Sequence, residues 1–322
     1  MARAKHPKIP LPPRDGLGAS RVRHDGPEPI SAFDFILHLV ATQRHRHPDD
    51  DEAAVLRRFD EGLVVLIDAT PVQPSTPIPA GTDLFFYRRP APEPSVPYDI
   101  ETVYEDANIM VVNKPPFLAT MPRAAHITET ATVRLRRATG NEELTPAHRL
   151  DRMTSGLLLL TKRRDIRGAY QELFARREVH KRYEAVAAHT GVTSPVTWRS
   201  HIEKRPGEIA SREVASAEPN SETVLRSVLR LAPTEEQRLQ RIHGVSHPLS
   251  RYLLEPVTGK THQLRVHMCS AGVPILGDPV YPTVHASDDG DFTIPLRLTS
   301  TGLDFIDPLS GSPRTFAADP WL

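Results

Sequence analysis

Four consecutive leucines at positions 157–160 limit what this chain can fold into. They follow the charged and small residues HRLDRMTSG and precede the segment TKRR. A short, uninterrupted apolar run bounded by polar residues is typical of a strand that is buried on both faces of a sheet. The sequence therefore predicts a sheet with this strand in its interior, and it places a charged residue, Asp151, at the entrance to that strand.

Composition narrows the class of protein. A chain of 322 residues is long enough for about two domains. Its longest apolar runs are far shorter than the roughly 20 residues that a membrane span needs, and its N-terminus has no apolar signal segment, so we expect a cytoplasmic protein without a membrane partner. The single cysteine, Cys269, excludes an intramolecular disulfide. Lys+Arg and Asp+Glu balance at 40 each, so any electrostatic case for a nucleic-acid partner must be local.

The sequence divides into four parts. Residues 1–30 are rich in proline and basic side chains, which predicts a mobile tail. Residues 31–90 form a small module in which a short helix from Ser31 leads into a loop and then into two β-type runs, LVVLI and LFFY. A proline-rich linker at 91–97 separates this module from a second domain, 98–322.

The second domain mixes strand and helix patterns. We expect strands at 109–112, 157–161, 181–188 and 251–255, and helices near 128–138, 164–176 and 261–271. Because these elements do not alternate strictly as β-α-β units, the pattern favours an α+β fold over a doubly wound sheet.

Asp151 stands within a basic segment. Residues 147–182 contain ten lysines and arginines and four carboxylates, a net charge of +6 that would suit phosphate binding. An ionised carboxylate at the edge of a core is unfavourable without a cation nearby. Two interpretations remain open: Asp151 is a positioned nucleophile, or it caps a turn by accepting from the amide of Thr154 or Ser155, which spacing alone favours.

Two later segments carry further polar residues. In HKRYEAVAAH (180–189), strand alternation places Lys181 and Tyr183 on one face, although the pattern alone favours an ordinary half-buried strand tyrosine. In TGKTHQLRVH (258–267), a helix from Thr261 would carry Arg265, with Lys260 at its entry. The histidines of this segment are five residues apart, which is poor spacing for a helical chelate, so we expect no metal.

The stretch HRLDRMTSGLLLLTK (148–162) resembles the signature of RluA-type RNA pseudouridine synthases. Matching segments follow in the family's order, and the resemblance spans roughly residues 98–318. They are VVNKPP (111–116), KRYEAV (181–186), TGKTHQLRVH (258–267), VPILGDPVY (273–281) and GLDFIDPLSG (302–311).

The resemblance implies a pseudouridine synthase fold, α+β with a mixed, mainly antiparallel central sheet and a catalytic cleft. It implies that Asp151 is the catalytic aspartate that attacks the target uridine. Tyr183 would stack on the base and assist loss of its C5 proton, and Arg265 would pair with Asp151. Arg149 would help to displace or replace the flipped nucleotide. The residues expected to bind substrate are His148, Arg149, Arg152, Thr154, Lys181, Lys260 and His262.

The implied activity is isomerisation of uridine to pseudouridine in ribosomal or transfer RNA. No redox step or external group is involved, so we expect neither a cofactor nor a metal. We expect RNA but not DNA as the partner, and a monomer. The competing hypothesis is an RNA-binding or ribosome-assembly factor on the same fold with secondary or lost catalysis. Lys260 stands where the family commonly has arginine. The β-type half of residues 31–90 resembles an αL-type RNA-binding domain and the helical half does not, so two interpretations stay open: a divergent RNA-binding domain or a structural addition.

Overall fold

The computed structural model describes residues 10–285 and 290–321, and within them the chain forms sixteen strands and six helices. The strands are β1 (Ser20–Arg23), β2 (Ile30–Ser31), β3 (Pro77–Ile78), β4 (Asp83–Phe86), β5 (Glu101–Glu105), β6 (Ile109–Lys114), β7 (Thr145–Pro146), β8 (Ser155–Thr161), β9 (His180–Ala188), β10 (Val196–Ser200), β11 (Ile202–Glu203), β12 (Arg212–Glu213), β13 (Ser221–Arg230), β14 (Leu249–Pro256), β15 (Leu298–Ile306) and β16 (Pro313–Ala317). The helices are α1 (Ala32–Ala41), α2 (Glu52–Asp60), α3 (Ala131–Thr139), α4 (Arg167–Ala175), α5 (Pro233–His243) and α6 (Gln263–Ser270).

Ten of these strands form one sheet. Its main path runs β10-β13-β14-β9-β15-β8-β6-β5, with β16 beside β15 and β7 beside β8. The β8–β15 pair is parallel, and the other pairs of this sheet are antiparallel. The α+β class and the mixed, mainly antiparallel sheet expected from the sequence are therefore confirmed. Across the described residues we find no helix with the length and apolar character needed to span a membrane.

The four leucines lie in β8, at the centre of this sheet. All seven residues of β8 are buried. Leu157 and Leu159 pack into one apolar cluster with Tyr170 of α4, while Leu158 and Leu160 are fully buried as well. This burial confirms the interior strand that the run predicted, and it fixes the position of the residues that precede β8.

The chain forms two compact units. The first contains the described residues up to Glu93 together with Pro122–Glu142, and the second contains Pro94–Met121 with Glu143 onward. The core of the first unit includes Ile36 of α1, Phe59 of α2 and Leu84 of β4. The large sheet belongs to the second unit, where all residues of the site discussed below also lie.

The first unit differs from its predicted structure in three places. A loop was expected after α1, but Asp51 caps a second helix, α2, by accepting from the Ala54 amide at 2.9 Å. The run LVVLI does not form a strand; Val65 makes only isolated bridges, because the chain turns back at once to Pro71. Ser20–Arg23 forms a strand where a mobile tail was expected, and residues 1–9 of that tail lie outside the described residues.

The elements expected in residues 98–322 are present, although the helix expected near 128–138 is α3 of the first unit. Other elements were not predicted, among them helix α5 and the interior strands β13 and β15. β13 alternates buried and half-exposed residues, and its sequence SETVLRSVLR carries charges that obscure the pattern. β15 reads LTSTGLDFI, in which small and polar residues dominate, yet six of its nine residues are buried where it lies between β8 and β9. Sheet position, not composition, makes these segments strands.

Candidate active site

A cavity of about 490 Å³ opens in the second unit beside the entrance to β8. It is bounded by the residues before β8, by β9, by the loop after β14 and by the start of α6. Nine of the ten predicted site residues line it: His148, Arg149, Asp151, Thr154, Lys181, Tyr183, Lys260, His262 and Arg265. Arg152 is not among the lining residues. Three segments that are far apart in the sequence thus meet around one carboxylate.

Asp151 forms a turn through its main chain, which leaves its carboxylate directed to the cavity. The Thr154 amide donates to the main-chain carbonyl of Asp151 at 3.1 Å, so the turn does not use the carboxylate. The side chain is 22% exposed, and its Oδ2 lies 3.8 Å from Nη1 of Arg265 and 4.0 Å from Nε2 of His262. Of the two open interpretations, the geometry favours a carboxylate available to a ligand.

Strand order brings Tyr183 to the same cavity. β15 lies between β8 and β9, and its Ser300 is opposite both Gly156 and Tyr183. Gly156 has φ of +103°, and a Cβ at that position would lie 2.2 Å from the Ser300 carbonyl oxygen, so only glycine permits this approach. Burial raises the pKa of Tyr183 to about 12, which keeps its hydroxyl protonated at neutral pH.

Arg265 is held by a partner that the sequence did not identify. Its Nε and Nη2 donate to the carboxylate of Asp278 at 2.8 and 2.7 Å, and both side chains are almost fully buried. Asp278 also accepts from the amides of Val280 and Tyr281 at 2.8 and 3.1 Å. The direct pair expected between Arg265 and Asp151 is therefore the looser of two ion pairs. The segment GDPVY, in which an aspartate precedes proline at a turn, was the available signal for Asp278.

His262 is a neutral residue in a strained backbone conformation. It precedes α6 with φ of 59°, and its Nδ1 lies 3.0 Å from the Tyr281 hydroxyl. Tyr281 also accepts from the Ser211 amide at 2.7 Å and donates to the Ser211 carbonyl at 2.9 Å. Because the Tyr281 hydroxyl already donates its proton to Ser211, the hydrogen between Tyr281 and His262 must come from Nδ1 of His262. In a neutral imidazole, Nε2 then carries no proton, and this is the nitrogen that faces Asp151. Burial lowers the pKa of His262 to about 4.

Gln263 anchors the loop that carries Lys260 and His262. Its Oε1 accepts from the Thr258 hydroxyl at 2.6 Å and from the Lys260 amide at 3.0 Å. Its Nε2 donates to the Glu222 carbonyl and the Thr223 hydroxyl, each at 2.9 Å. All four hydrogen bonds of this buried amide are used, so the loop is fixed onto β13.

His148 and Lys114 support the site from within the protein. Nε2 of His148 accepts from the Leu159 amide at 3.1 Å, its ring stacks on Phe174, and burial lowers its pKa to about 3. Lys114 is fully buried and donates to the carbonyls of Pro115, Leu118 and Arg152. Burial lowers the pKa of Lys114 to about 7. The sequence predicted that His148 binds substrate, but its contacts are with the Leu159 amide and the Phe174 ring. The sequence did not single out Lys114, whose contacts are with main-chain carbonyls.

The cavity is strongly cationic. Asp151 is the only carboxylate among its lining residues. The basic lining residues are Arg149, Arg177, Lys181, Lys260 and Arg265. Arg149 is exposed, and within the described part of the chain its side chain has no ion-pair partner. Lys181 donates to the Thr258 carbonyl at 3.3 Å, and burial lowers its pKa to about 8.

Within the basic segment 147–182, the cations between Lys162 and Arg167 are partly neutralised. Lys162 pairs with Glu105 at 2.5 Å, and Arg163 pairs with Asp165 at 2.9 Å. Arg167 donates to the Glu143 carbonyl at 2.5 Å. Only the first two of these cations are neutralised by a carboxylate, because a main-chain carbonyl carries no net charge.

The chain was compared with protein families and with known proteins. A family model for RNA pseudouridylate synthase matches residues 108–270. The chain is 32% identical to a dual-specificity RNA pseudouridine synthase RluA of Haemophilus influenzae, over 70% of this chain and 94% of that protein. It is 30% identical to a ribosomal large subunit pseudouridine synthase D of Neisseria meningitidis, over 84% of this chain and 72% of that protein.

A solved structure supports the same assignment. Human RNA pseudouridylate synthase domain containing 1 is 28% identical, covers 71% of this chain and 87% of its own, and superposes with a TM-score of 0.55. The family match covers the strands and the helix that build the cavity, from β6 through α6. This chain belongs to the RluA-type RNA pseudouridine synthase family.

Proposed function

We propose that this protein isomerises uridine to pseudouridine in RNA with Asp151 as its nucleophile. The observation that carries the proposal is the position of Asp151: a partly exposed carboxylate, unused by the turn it forms, in a cavity where every other charged lining residue is basic. A carboxylate can form the covalent link that keeps the uracil from leaving while it is turned. The attack is at C6 of the base or at C1′ of the ribose.

The cavity chemistry supports RNA as the substrate. Its volume of about 490 Å³ lies in the range of ligand pockets, and its cations suit the phosphates that flank a nucleotide. The target base must leave its stack, at a cost of a few kcal/mol. Arg149 is exposed at the cavity, and we propose that its side chain fills the space in the RNA stack that the flipped base vacates.

The isomerisation needs no external group, and individual side chains of the cavity have separate roles in it. The N1–C1′ bond breaks, the base rotates, the C5–C1′ bond forms, and C5 loses the proton that N1 gains, so the isomerisation balances without an external group. Arg265, fixed by Asp278, orients and stabilises the Asp151 carboxylate. Tyr183 faces the base and remains protonated at neutral pH. His262 presents a neutral ring edge to the same space.

We further propose ribosomal or transfer RNA as the target, and the cytoplasm as the compartment. The name of one relative, a ribosomal large subunit pseudouridine synthase, supports ribosomal RNA, and the name of another describes a dual-specificity enzyme, which supports more than one target. Which uridine is modified depends on RNA structure outside the cavity, because the lining residues contact one nucleotide and its nearest phosphates.

The test is pseudouridine formation in transcripts made without modification. The protein is incubated with ribosomal and transfer RNA transcripts, and carbodiimide treatment with primer extension maps the products. We expect defined sites with the wild type, none with Asp151→Ala, and unchanged sites with Asp165→Ala, an exposed aspartate paired only with Arg163. Activity that persists in Asp151→Ala would overturn the assignment, and absence of modification by the wild type would favour an RNA-binding or ribosome-assembly factor.

A further inference from the structure

The first unit contains a second cavity, of about 480 Å³. None of its lining residues belongs to the candidate active site. It is bounded by the start of β1, by the loop after α1, by the segment after β4 and by residues 122–127. A cavity as large as the catalytic one has room for a ligand of similar size.

One wall of this cavity is a fixed polar network. Oε1 of Gln43 lies 3.4 Å from Nη1 of Arg88, from which it accepts, and its Nε2 donates to the main-chain carbonyl of His45 at 2.9 Å. Main-chain bridging between Arg46 and Pro90 ties the same two segments together. The loop after α1 is therefore held against the segment after β4, and the Arg88 guanidinium lies at the cavity.

The remaining polar lining residues are available to a ligand. Within the described residues, the side chains of Arg44, His45 and Ser20 have no hydrogen-bond or ion-pair partner. No aspartate or glutamate is among the residues that line this cavity. Two guanidinium groups without a lining carboxylate make the site complementary to an anion, and guanidinium forks match phosphate oxygens in particular.

Other lining residues form an apolar wall, which includes Leu17 and Ile127. The Ile127 amide donates to the Glu93 carboxylate at 2.9 Å, which holds its segment in place. Proteins bind single-stranded RNA with cations at its phosphates and with aromatic rings or guanidinium planes against its bases. Here the His45 ring and two guanidinium groups lie beside apolar side chains.

We propose that this cavity binds one unpaired nucleotide of the substrate RNA, with its phosphate at Arg44 and Arg88 and its base against the apolar wall. The inference rests on the proposed RNA substrate and adds a second point of contact, separate from the nucleotide that is modified. Such a contact strengthens binding of RNA long enough to reach it, and leaves the chemistry at Asp151 unchanged.

The test uses the full chain and a fluorescent 20-nucleotide RNA of adenosine and cytidine only. The variant is Arg44→Ala with Arg88→Ala, and the matched control is Arg57→Ala, an exposed arginine of α2 outside the cavity. Each lost phosphate contact lowers the slope of log affinity against log salt by about 0.7 for single strands. We therefore expect the slope to fall by about 1.4 and the affinity at 0.1 M salt to fall by about 25-fold. The control should match the wild type.

The possible outcomes are distinct. Equal affinity and slope for the double variant and the wild type, with equal thermal unfolding midpoints, would overturn the proposal. Binding of free AMP that is lost in the double variant, without any change in RNA binding, would also overturn it, because the cavity would then take a free nucleotide. Since the RNA probe contains no uridine, this measurement does not depend on catalysis. A wild type that binds the probe but forms no pseudouridine would refute the proposed function alone.

Discussion

Asp278→Asn tests whether the geometry of Arg265 controls Asp151, the carboxylate that we propose to be the nucleophile. At an effective dielectric constant of about 20, a charge pair at 2.7 Å attracts by roughly 6 kcal/mol and one at 3.8 Å by roughly 4 kcal/mol, so Asp278 outweighs Asp151 as the partner of Arg265. Asparagine keeps the oxygen that accepts from Val280 and Tyr281, but it loses the charge and turns an amide group toward Nε of Arg265.

Two effects should follow. Removing one member of a buried ion pair typically lowers the free energy of unfolding by about 3–5 kcal/mol. Arg265 should then shift toward Asp151, its remaining counter-ion. A displacement of about 1 Å in a catalytic group can lower the rate by about 100-fold, so we expect kcat to fall by that order with little change in KM. Urea unfolding and single-turnover pseudouridine formation measure the two effects.

Asp307→Asn is the matched control. Asp307 is also buried, and it accepts from the Leu309 and Ser310 amides and from Nε of Arg314 at 3.1 Å. These contacts repeat the turn and the ion pair of Asp278, but Asp307 does not line the cavity. We expect this variant to lose stability but to keep its kcat at temperatures where it is folded. Equal kcat in the two variants would show that Asp278 stabilises the fold without positioning Arg265.

Three further predictions follow from the site. Tyr183→Phe should lower kcat by about 10²-fold or more with KM nearly unchanged, because the hydroxyl is lost and the stacking ring is kept; an unchanged kcat would limit Tyr183 to stacking. RNA affinity, measured by anisotropy, should weaken as pH rises through about 8, where Lys181 loses its proton, and Lys181→Arg should remove this dependence between about pH 7 and 9. Gly156→Ala should destabilise the fold by more than about 4 kcal/mol in urea, because its Cβ would overlap the Ser300 carbonyl oxygen, whereas Gly168→Ala, with open space around it, should not.

Local patterns predicted much of the second unit. The leucine run of β8 and the alternation in β9 appear where the sequence placed them, because each strand carries its own hydrophobic period. The same is true of α6, which begins two residues after Thr261. β13 and β15 were missed, since their residues are polar or small and only their neighbours in the sheet make them strands.

The candidate site was predicted in its members but not in its contacts. A family signature named Asp151, Tyr183 and Arg265, and the structure places all three at one cavity. The partner of Arg265 was not predicted, because Asp278 is joined to it by a turn that aligns two backbone amides and one guanidinium. The sequence patterns likewise did not single out Lys114, because its burial against three carbonyls depends on the tertiary structure around it.

By itself, the sequence determined the buried central strand, the α+β class and the identity of the charged residue at the strand's entrance. These depend on hydrophobic period and on residue type, which are local properties. Only the tertiary structure decided whether the Asp151 carboxylate caps the turn or faces the cavity. The turn itself is local, because the Thr154 amide donates to the main-chain carbonyl of Asp151. The surroundings of the free carboxylate are not local, because Arg265 and the approach of β15 to Gly156 come from segments more than a hundred residues away.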